Sequence, residues 1–434
     1  MLMNDSLPSG QRTDSLAPWY WTGTAKLVWC ALIGVAVHLA LWQISEPPDL
    51  FSDYYKAYFP AAEVLWDEGL KAKFPFTEAG AGGFVNVPVL AWLFVPLIPL
   101  GEDESGWAFL AIGAIATLAA YLSLRRMILP GRTAATVLLF LFLINGPLIN
   151  ALREGNSTHF ILLLLIVALA LLRRGSDFVA GLVLGFAAVI KLPLLLFGGY
   201  FLFRRRWKVV AGGATMIGGI LALSVALFGI ANNLAWADCC IVPFLGGLIP
   251  AFNVQSVDGF FMRLIVGTAN LNIWYPVPPP EFYRIARLFI FAAIAGLSLF
   301  AMLRASRNED RSLPPEVTRQ REALEYALIL TLAIVVSPVS WTHYYALLLL
   351  PWGLFLGGQL LPEGDGVARK LVWASIILAS LPVVVVPLQP DLPGELAART
   401  IISAWFFGGV AMLAALLRSL CRLGAVPFPS RRAQ

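Results

Sequence analysis

Charge is the scarcest chemical class in this sequence. Only 13% of its 434 residues are Asp, Glu, Lys or Arg, whereas a soluble domain carries about 25%. The deficit excludes an ordinary soluble globular protein, and 59% of the residues are hydrophobic. Apolar runs close to the length of a membrane span recur along the whole chain, which is typical of membrane-spanning helices. The sequence therefore predicts an all-α polytopic membrane protein.

Cysteine and histidine are also rare. The four cysteines do not make a disulfide framework, because Cys239 and Cys240 are adjacent and the other two lie in an apolar run and in the tail. We find no cluster with metal-ligand spacing, no phosphate-cradling glycine loop and no nucleophile motif. Asp49 and Asp53 could bind a divalent ion, but two carboxylates alone do not define a site. We therefore expect neither a cofactor nor a metal ion.

The net charge of +5 does not indicate nucleic-acid binding, because the basic residues form short clusters between apolar runs. Such clusters are typical of the cytoplasmic loops of membrane proteins. Residues 1–22 are polar and lack a short apolar core with a cleavage site, so no cleaved signal peptide is expected. The first apolar run, 24–45, is predicted to act as an uncleaved anchor.

Apolar runs predict about twelve transmembrane helices. They are 24–45, 105–124, 133–150, 158–173, 177–191, 193–204, 209–231, 283–304, 323–338, 343–361, 370–388 and 398–417. Residues 177–204 could be one long helix. The proline at 193 instead predicts two short helices that meet at an elbow around Lys191, because proline disrupts the helix before it.

The run 87–100 is apolar but contains three prolines and has only about fourteen residues, fewer than the roughly 20 needed to cross a membrane. If it does not cross, the basic clusters all fall on the cytoplasmic side together with both termini, as the positive-inside rule requires. We therefore predict a half-inserted or surface helix. The whole chain is then one integral membrane domain, with extracytoplasmic loops at 46–100 and 232–282 and cytoplasmic tails at 1–22 and 418–434.

The loop 46–100 collects acidic and aromatic residues in a chain with few other carboxylates. Asp53, in the sequence SDYY at 52–55, is the first candidate for a catalytic group. It could equally be a solvated loop residue or a helix N-cap. The aromatic residues that follow, including Tyr54 and Tyr55, suit a helix at the lipid interface, where Asp53 would face a lipid-borne substrate.

His343 is one of three histidines and lies in the sequence SPVSWTHYY at 337–345, at the outer mouth of a predicted span. It could be a structural hydrogen-bonding residue, or it could hold a phosphate or steady an attacking hydroxyl. His159, near the outer turn 150–156, is a second candidate. His38 lies within a predicted span, where packing is the expected role.

Basic residues on the predicted outer side are informative because the topology rule disfavours them there. Arg153, Lys191 and Arg263 belong to this group. They could bind lipid phosphate or pair with a local carboxylate, which for Arg153 would be Glu154. Alternatively, they bind the phosphate or diphosphate of a substrate, which arginine and lysine do well.

Five segments, in order, resemble glycosyltransferase family 87 of the GT-C superfamily, and the last is the most specific. They are SDYY at 52–55, VPV through PLIPL at 87–100, GP through GN at 146–156, G through KLP at 181–193, and SPVSWTHY at 337–344. The resemblance covers most of the chain. It implies a GT-C-type fold with a large first extracytoplasmic loop that carries juxtamembrane helices.

The resemblance also implies a function. The family transfers a sugar from a polyprenyl-phosphate donor to an extracytoplasmic lipid or glycan acceptor, and mannose and arabinofuranose are known sugars. By this likeness the protein is expected in the plasma (inner) membrane, with no nucleic-acid partner. Taken together with the basic residues of the outer side, the predicted site residues are Asp53 as general base, His343 near the donor phosphate, Arg153, Lys191 and Arg263 as phosphate ligands, and Tyr54, Tyr55, Asn156, Gln255 and Trp341 at the acceptor or sugar.

This chemistry suits the residues present. A sugar joined to phosphate already has a good leaving group, so no general acid of the glycosidase kind is needed. One carboxylate suffices to take the proton from the attacking hydroxyl, and direct displacement inverts the anomeric centre. Alternatives are an arabinofuranosyltransferase of the same fold, a membrane transporter or lipid flippase, or a non-catalytic scaffold. A transporter tends to place ionisable groups near the bilayer midplane and to contain repeats, neither of which the sequence indicates.

Overall fold

The computed structural model describes residues 50–71, 83–129, 131–306, 315–362, 364–383 and 389–423, with isolated helical positions at 29, 32, 33 and 36. The first predicted span, 24–45, otherwise lies outside the described residues. Across the described ranges the chain forms helices, turns and two isolated bridges, and no strand. The predicted all-α class is confirmed.

The first half of the described chain contains most of the closely packed helices. They are α1 (Phe59–Glu68), α2 (Glu102–Ile128), α3 (Arg132–Ile144), α4 (Gly146–Arg153), α5 (Thr158–Arg173), α6 (Asp177–Ile190), α7 (Leu196–Phe203) and α8 (Trp207–Cys240). A π turn covers Tyr54–Tyr58, and 3-10 helices cover Gly69–Lys71, Pro88–Leu93, Val95–Leu100 and Leu192–Leu195.

The second half adds the long outer loop and the C-terminal helices. They are α9 (Pro243–Gly246), α10 (Val257–Val266), α11 (Glu281–Ser306), α12 (Pro315–Val335), α13 (Leu349–Leu356), α14 (Gly366–Ala379), α15 (Leu392–Arg399) and α16 (Ala404–Leu423). Two 3-10 helices, Thr342–Leu348 and Ile401–Ser403, lead into α13 and α16.

Four helical stretches in the described residues are long and apolar enough to cross a membrane, or five if the pair α3 and α4, bent by 44°, is one broken span. The four are Glu102–Ile128, Trp207–Gly246, Glu281–Ser306 and Leu392–Leu423. Other predicted spans form shorter helices; α6, with 14 residues, is about 21 Å long, against a hydrocarbon core of about 30 Å. A polytopic membrane protein is confirmed, and the count of twelve spans stays a prediction.

The proline-based predictions can be compared directly with the structure. The predicted elbow around Lys191 is present, because α6 ends at Ile190 and α7 starts only after the intervening 3-10 helix. The run 87–100 forms two successive 3-10 helices, Pro88–Leu93 and Val95–Leu100, rather than one regular α-helix. Its depth in the membrane stays a prediction.

Polar contacts between helices collect at two ends of the bundle. At one end the basic clusters meet carboxylates: Arg206 lies 2.5 Å from Asp177, and Arg418 lies 2.9 Å from Asp365. The opposite end brings together the segments predicted to face outward, including the turn after α4, the Lys191 elbow and the start of the Thr342–Leu348 helix. The orientation of the bundle in the membrane stays a prediction.

Helices α6 and α8 pack closely where Gly212 faces the backbone of α6. A Cβ atom at Gly212 would lie 2.1 Å from the carbonyl oxygen of Phe178, far inside a normal contact. We expect Gly212→Val to destabilise the protein by about 1–3 kcal/mol, because overpacking forces the backbones apart. Gly219→Val is the matched control, since a Cβ there meets nothing within 4 Å. Thermal unfolding in detergent measures both, and equal midpoints would contradict this packing.

Candidate active site

Asp53 stands at the start of the turn Tyr54–Tyr58, where the segment after α4 holds its backbone. The N–H groups of Asp53 and Tyr54 donate to the carbonyl oxygen of Glu154 over 2.9 and 3.3 Å. These bonds fix the backbone position of Asp53 relative to the end of α4, although the two segments are far apart in sequence.

Gly155 makes this close approach possible. Its backbone has a φ of 65°, and a Cβ atom at this position would lie 2.7 Å from the Cβ of Tyr54. Only glycine combines a left-handed backbone with the absence of a side chain. The glycine of the family-like turn at 146–156 thus has a local physical role: it lets the Asp53 loop dock on the turn.

Asn156 connects Asp53 to Lys191. Its Nδ2 donates to Asp53 Oδ2 over 2.6 Å, and its Oδ1 accepts from Lys191 Nζ over 3.1 Å. The same Oδ1 accepts from the N–H and the hydroxyl of Thr158, over 3.1 and 2.7 Å. Asn156 and Lys191 are both buried, and Asp53 is half-buried. One carboxylate and one ammonium therefore face opposite ends of a single amide.

The electrostatics of this group follow from burial. Removal from water raises the pKa of the Asp53 carboxyl, while the Asn156 hydrogen bond and the positive charges of Lys191 and Lys56 act in the opposite direction. Burial lowers the pKa of the Lys191 ammonium, and the nearby Asp53 carboxylate opposes that change. A carboxyl with a raised pKa is a better proton acceptor near neutral pH than an exposed aspartate.

Lys191 also touches the segment that contains His343. Its Nζ lies 4.2 Å from the ring centroid of Tyr344, a cation–π contact. The ring of His343 lies 5.2 Å from that of Tyr344. His343 is buried, and its Nε2 has no hydrogen-bond partner within the described residues. The structure thus gathers Asp53, Asn156, Lys191 and His343 around the end of α6.

Glu154 is a second carboxylate beside Asp53, and the sequence indicated it only as a possible partner of Arg153. That pair exists, with Arg153 Nη2 at 3.2 Å from Glu154 Oε1. The Ser52 hydroxyl also donates to the Glu154 carboxylate. Burial and the charge of Asp53 raise the pKa of Glu154, against the effects of Ser52 and Arg153. Arg153 therefore pairs with a local carboxylate, which was one of the two roles considered for it. The predicted role of Arg153 at the donor phosphate stays a prediction.

Arg263, predicted as a phosphate ligand, is held by contacts within the protein, and its phosphate role stays a prediction. Arg263 is fully buried, and its Nη1 donates to the carbonyl oxygens of Ala251 and Val254 over 2.9 and 2.6 Å. Its Nε and Nη2 face the Ser403 hydroxyl at 3.2 and 2.9 Å. Because the guanidinium is enclosed by the protein's own oxygens, Arg263 holds the loop 251–256 in place.

Gln255, predicted near the acceptor or sugar, is also held by contacts within the protein, and its predicted role stays a prediction. Its Nε2 donates to the carbonyl oxygens of Phe252 and Ile402, both over 2.8 Å, and its side chain is fully buried. The loop supports the histidine segment, since Tyr345 donates to the Gln255 carbonyl over 2.7 Å. Trp341 pairs with this loop and is only partly buried, so its predicted sugar contact stays a prediction.

The tyrosines after Asp53 divide into a buried and a partly exposed residue. Tyr54 is fully buried, and its ring stacks on Phe109 at 5.1 Å. Tyr58 stacks on Phe94 at 4.5 Å. This aromatic face therefore packs inside the protein, and the predicted sugar contact of Tyr54 stays a prediction. Tyr55 keeps some exposure, and its predicted role is not tested by the structure.

No group of three or more potential metal ligands occurs among the residues that the structure describes. Asp49, which was considered with Asp53 as a pair of carboxylates for a divalent ion, lies outside them. His159, the second histidine candidate, is buried beside Phe160, with ring centroids 4.2 Å apart.

Comparison with known proteins identifies the family. The model of glycosyltransferase family 87 matches residues 84–338. The chain belongs to glycosyltransferase family 87. The resemblance carried by the five sequence segments is thereby confirmed, and this family 87 chain is a membrane glycosyltransferase. The matched range includes Asn156 and Lys191, whereas Asp53 lies 31 residues before it and His343 five residues after it.

Among curated relatives of this family 87 chain is a protein of Mycolicibacterium smegmatis, named polyprenol-phosphate-mannose-dependent alpha-(1-2)-phosphatidylinositol pentamannoside mannosyltransferase. It is 25% identical over 438 residues, which cover 97% of this chain and 93% of the relative. Among solved structures, ArnT from Cupriavidus metallidurans bound to undecaprenyl phosphate is 17% identical with a TM-score of 0.41, and its apo state is 16% identical with a TM-score of 0.40. Each comparison covers 92% of this chain and 77% of ArnT.

Proposed function

We propose that this family 87 chain transfers a hexose, with mannose the first choice, from a polyprenyl-phosphate donor to a lipid or glycan acceptor on the extracytoplasmic face. The observation that carries the proposal is the pairing of Asp53 and Lys191 across Asn156. A base and a cation are the two groups that displacement of a lipid phosphate by a hydroxyl requires. The donor class and the preference for mannose are supported by the activity for which the Mycolicibacterium smegmatis relative is named.

The reaction can be written with these groups in place. The acceptor hydroxyl oxygen attacks the anomeric carbon as the bond from that carbon to the phosphate oxygen breaks. The hydroxyl proton passes to Asp53, and the electrons of the broken bond leave with the polyprenyl phosphate. Lys191 and the buried His343 Nε2 stabilise the negative charge that develops on the phosphate. Attack opposite the leaving group inverts the anomeric centre.

An apolar groove beside the site supports a lipid-borne donor. Its volume is about 330 Å³, and it is lined by Val89, Leu90, Trp92, Leu93, Phe186, Ile220, Leu223 and Leu227. Phe186 lies on α6 and precedes Lys191 by five residues, so their Cα atoms are separated by about 7.5 Å of helical rise. A phosphate at Lys191 could therefore leave its hydrocarbon chain against the groove.

The direct test uses the purified protein in lipid nanodiscs with radiolabelled polyprenyl-phosphate mannose and a mixture of phosphatidylinositol mannosides. We expect a labelled glycolipid product whose new bond has the anomeric configuration opposite to that of the donor. Polyprenyl-phosphate arabinofuranose is the competing donor, and its exclusive use would assign the other sugar of the family. Retention of configuration would contradict direct displacement. Movement of label across a vesicle membrane without any glycosylated product would favour a transporter.

A further inference from the structure

Asn156 has protein hydrogen-bond partners at both ends of its side-chain amide. The sequence resemblance placed it at the acceptor or sugar, yet its side-chain amide contacts protein groups at both ends. We propose that Asn156 is a positioning residue that selects Oδ1 of Asp53 as the proton-accepting oxygen and connects this carboxylate to the Lys191 ammonium. The inference rests on the proposed function, because it concerns the base of that reaction.

The orientation of the amide follows from its neighbours. The Asn156 oxygen faces the backbone N–H of Thr158 at 3.1 Å and the ammonium of Lys191 at 3.1 Å. Neither of these two groups can accept a hydrogen bond. A flipped amide would turn its own N–H groups toward two obligatory donors inside the protein, which is costly for buried polar groups. The NH₂ group of Asn156 must therefore face Asp53.

This orientation distinguishes the two oxygens of the carboxyl group. Oδ2 of Asp53 accepts from Asn156 over 2.6 Å and so has to present a lone pair whether the carboxyl is ionised or neutral. Because the carbonyl oxygen of a neutral carboxyl is the stronger acceptor, this bond favours Oδ1 as the site for a proton arriving from the acceptor hydroxyl. The backbone bond from Asp53 N–H to Glu154 fixes the main chain of Asp53, and the Asn156 bond holds Oδ2 on that fixed main chain.

Several other ionisable groups lie near Asp53, on four different segments of the chain. Lys56 and Tyr58 are on its own helical turn, Glu154 is on the turn after α4, Lys191 is at the elbow, and Tyr344 is on the Thr342–Leu348 helix. Among the described residues, Asn156 is the only one that donates a hydrogen bond to the Asp53 carboxylate. Loss of this donor therefore acts on Asp53 without changing the charge of the site.

The test is the pH dependence of sugar transfer by Asn156→Ala and Asn156→Ser in the full-length protein. The hydrogen bond favours the ionised base, so its loss raises the pKa of Asp53. Activity that disappears as pH falls through this pKa will then disappear at a higher pH. We expect the acid limb of kcat/KM to move up by about one pH unit. We also expect kcat at pH 7 to fall about 10–100-fold, with partial recovery at higher pH.

Asn150→Ala is the matched control, because Asn150 lies on α4 and is outside the contacts of the site. An acid limb that stays in place while the acceptor KM rises would overturn the inference and return Asn156 to the acceptor. Thr158→Val removes one donor to the same amide oxygen and is expected to move the limb in the same direction by less, whereas Thr158→Ser should not. This pair decides the matter if position 156 tolerates no change.

Failure of the inference and failure of the proposed function give different results. The positioning role alone is refuted if the enzyme transfers sugar and its acid limb depends on Asp53 but does not move when position 156 or 158 is substituted. A wild-type protein that transfers no sugar from any polyprenyl phosphate, with Asp53→Asn unchanged in every assay, refutes both.

Discussion

Replacing Asp53 with asparagine is expected to reduce kcat by about 10²–10⁴-fold, the usual contribution of a general base. The substitution preserves the size of the side chain and can still accept a hydrogen bond from Asn156. It cannot take a proton from the acceptor hydroxyl. Because the change acts on the chemical step, the KM values for donor and acceptor should change much less than kcat. The measurement is initial-rate transfer of labelled mannose by purified protein.

Asp67→Asn provides the matched control for Asp53→Asn. Asp67 lies on α1, in the same loop, but is exposed. Its substitution should leave the rate within about two-fold, since surface changes away from special features have small effects. Wild-type activity in Asp53→Asn, with normal expression and membrane insertion, would remove the base from the proposed mechanism. Accessibility labelling that places residue 53 on the cytoplasmic side would contradict the assigned orientation.

Replacing Lys191 with methionine is expected to lower kcat/KM for the donor by about 10²–10³-fold, the cost of removing one preorganised donor to a developing anion. Methionine keeps an apolar stem against Tyr344 but has no charge to stabilise the departing phosphate. The loss of positive charge also raises the pKa of Asp53, so the acid limb of activity should move to higher pH. The decisive measurement is the dependence of the rate on donor concentration and pH.

Lys208→Met is the control for Lys191→Met, because Lys208 is exposed and lies at the opposite end of the bundle. Its substitution should leave the donor dependence unchanged. The double variant Lys191→Met with Asn156→Ala should lose less than the product of the two single effects, since both residues share one hydrogen-bonded network. Strictly multiplicative losses would mean that the two residues act independently.

The parts of the site that depend on local sequence were largely predictable. The SDYY segment at 52–55 and the SPVSWTHY segment at 337–344 carried the resemblance, and they supplied Asp53 and His343 as candidates. The Lys191 elbow followed from the proline at 193. Each of these predictions depends on a short-range rule or a family-like pattern that spans only a few residues, so the linear sequence is enough to make it.

The use of each polar side chain was less predictable. Arg263 and Asn156 were both assigned to substrates, yet one is enclosed by the loop 251–256 and the other connects Asp53 to Lys191. Their partners are far away in sequence and depend on how helices pack. One local signal existed for Asn156: the Asn-Ser-Thr sequence at 156–158 is typical of a turn in which the side-chain oxygen accepts from the backbone two residues later.

The linear sequence by itself determined the membrane class, the helical content and the separation of basic from acidic segments, because hydrophobicity and charge act residue by residue along the chain. Only the tertiary structure decided which polar groups meet. The contact between Asp53 and Asn156 depends on docking of the first loop onto a glycine turn, and that between Asn156 and Lys191 depends on the packing of α5 against α6. Hydrogen bonds need partners within about 3 Å, and only packing brings residues distant in sequence that close.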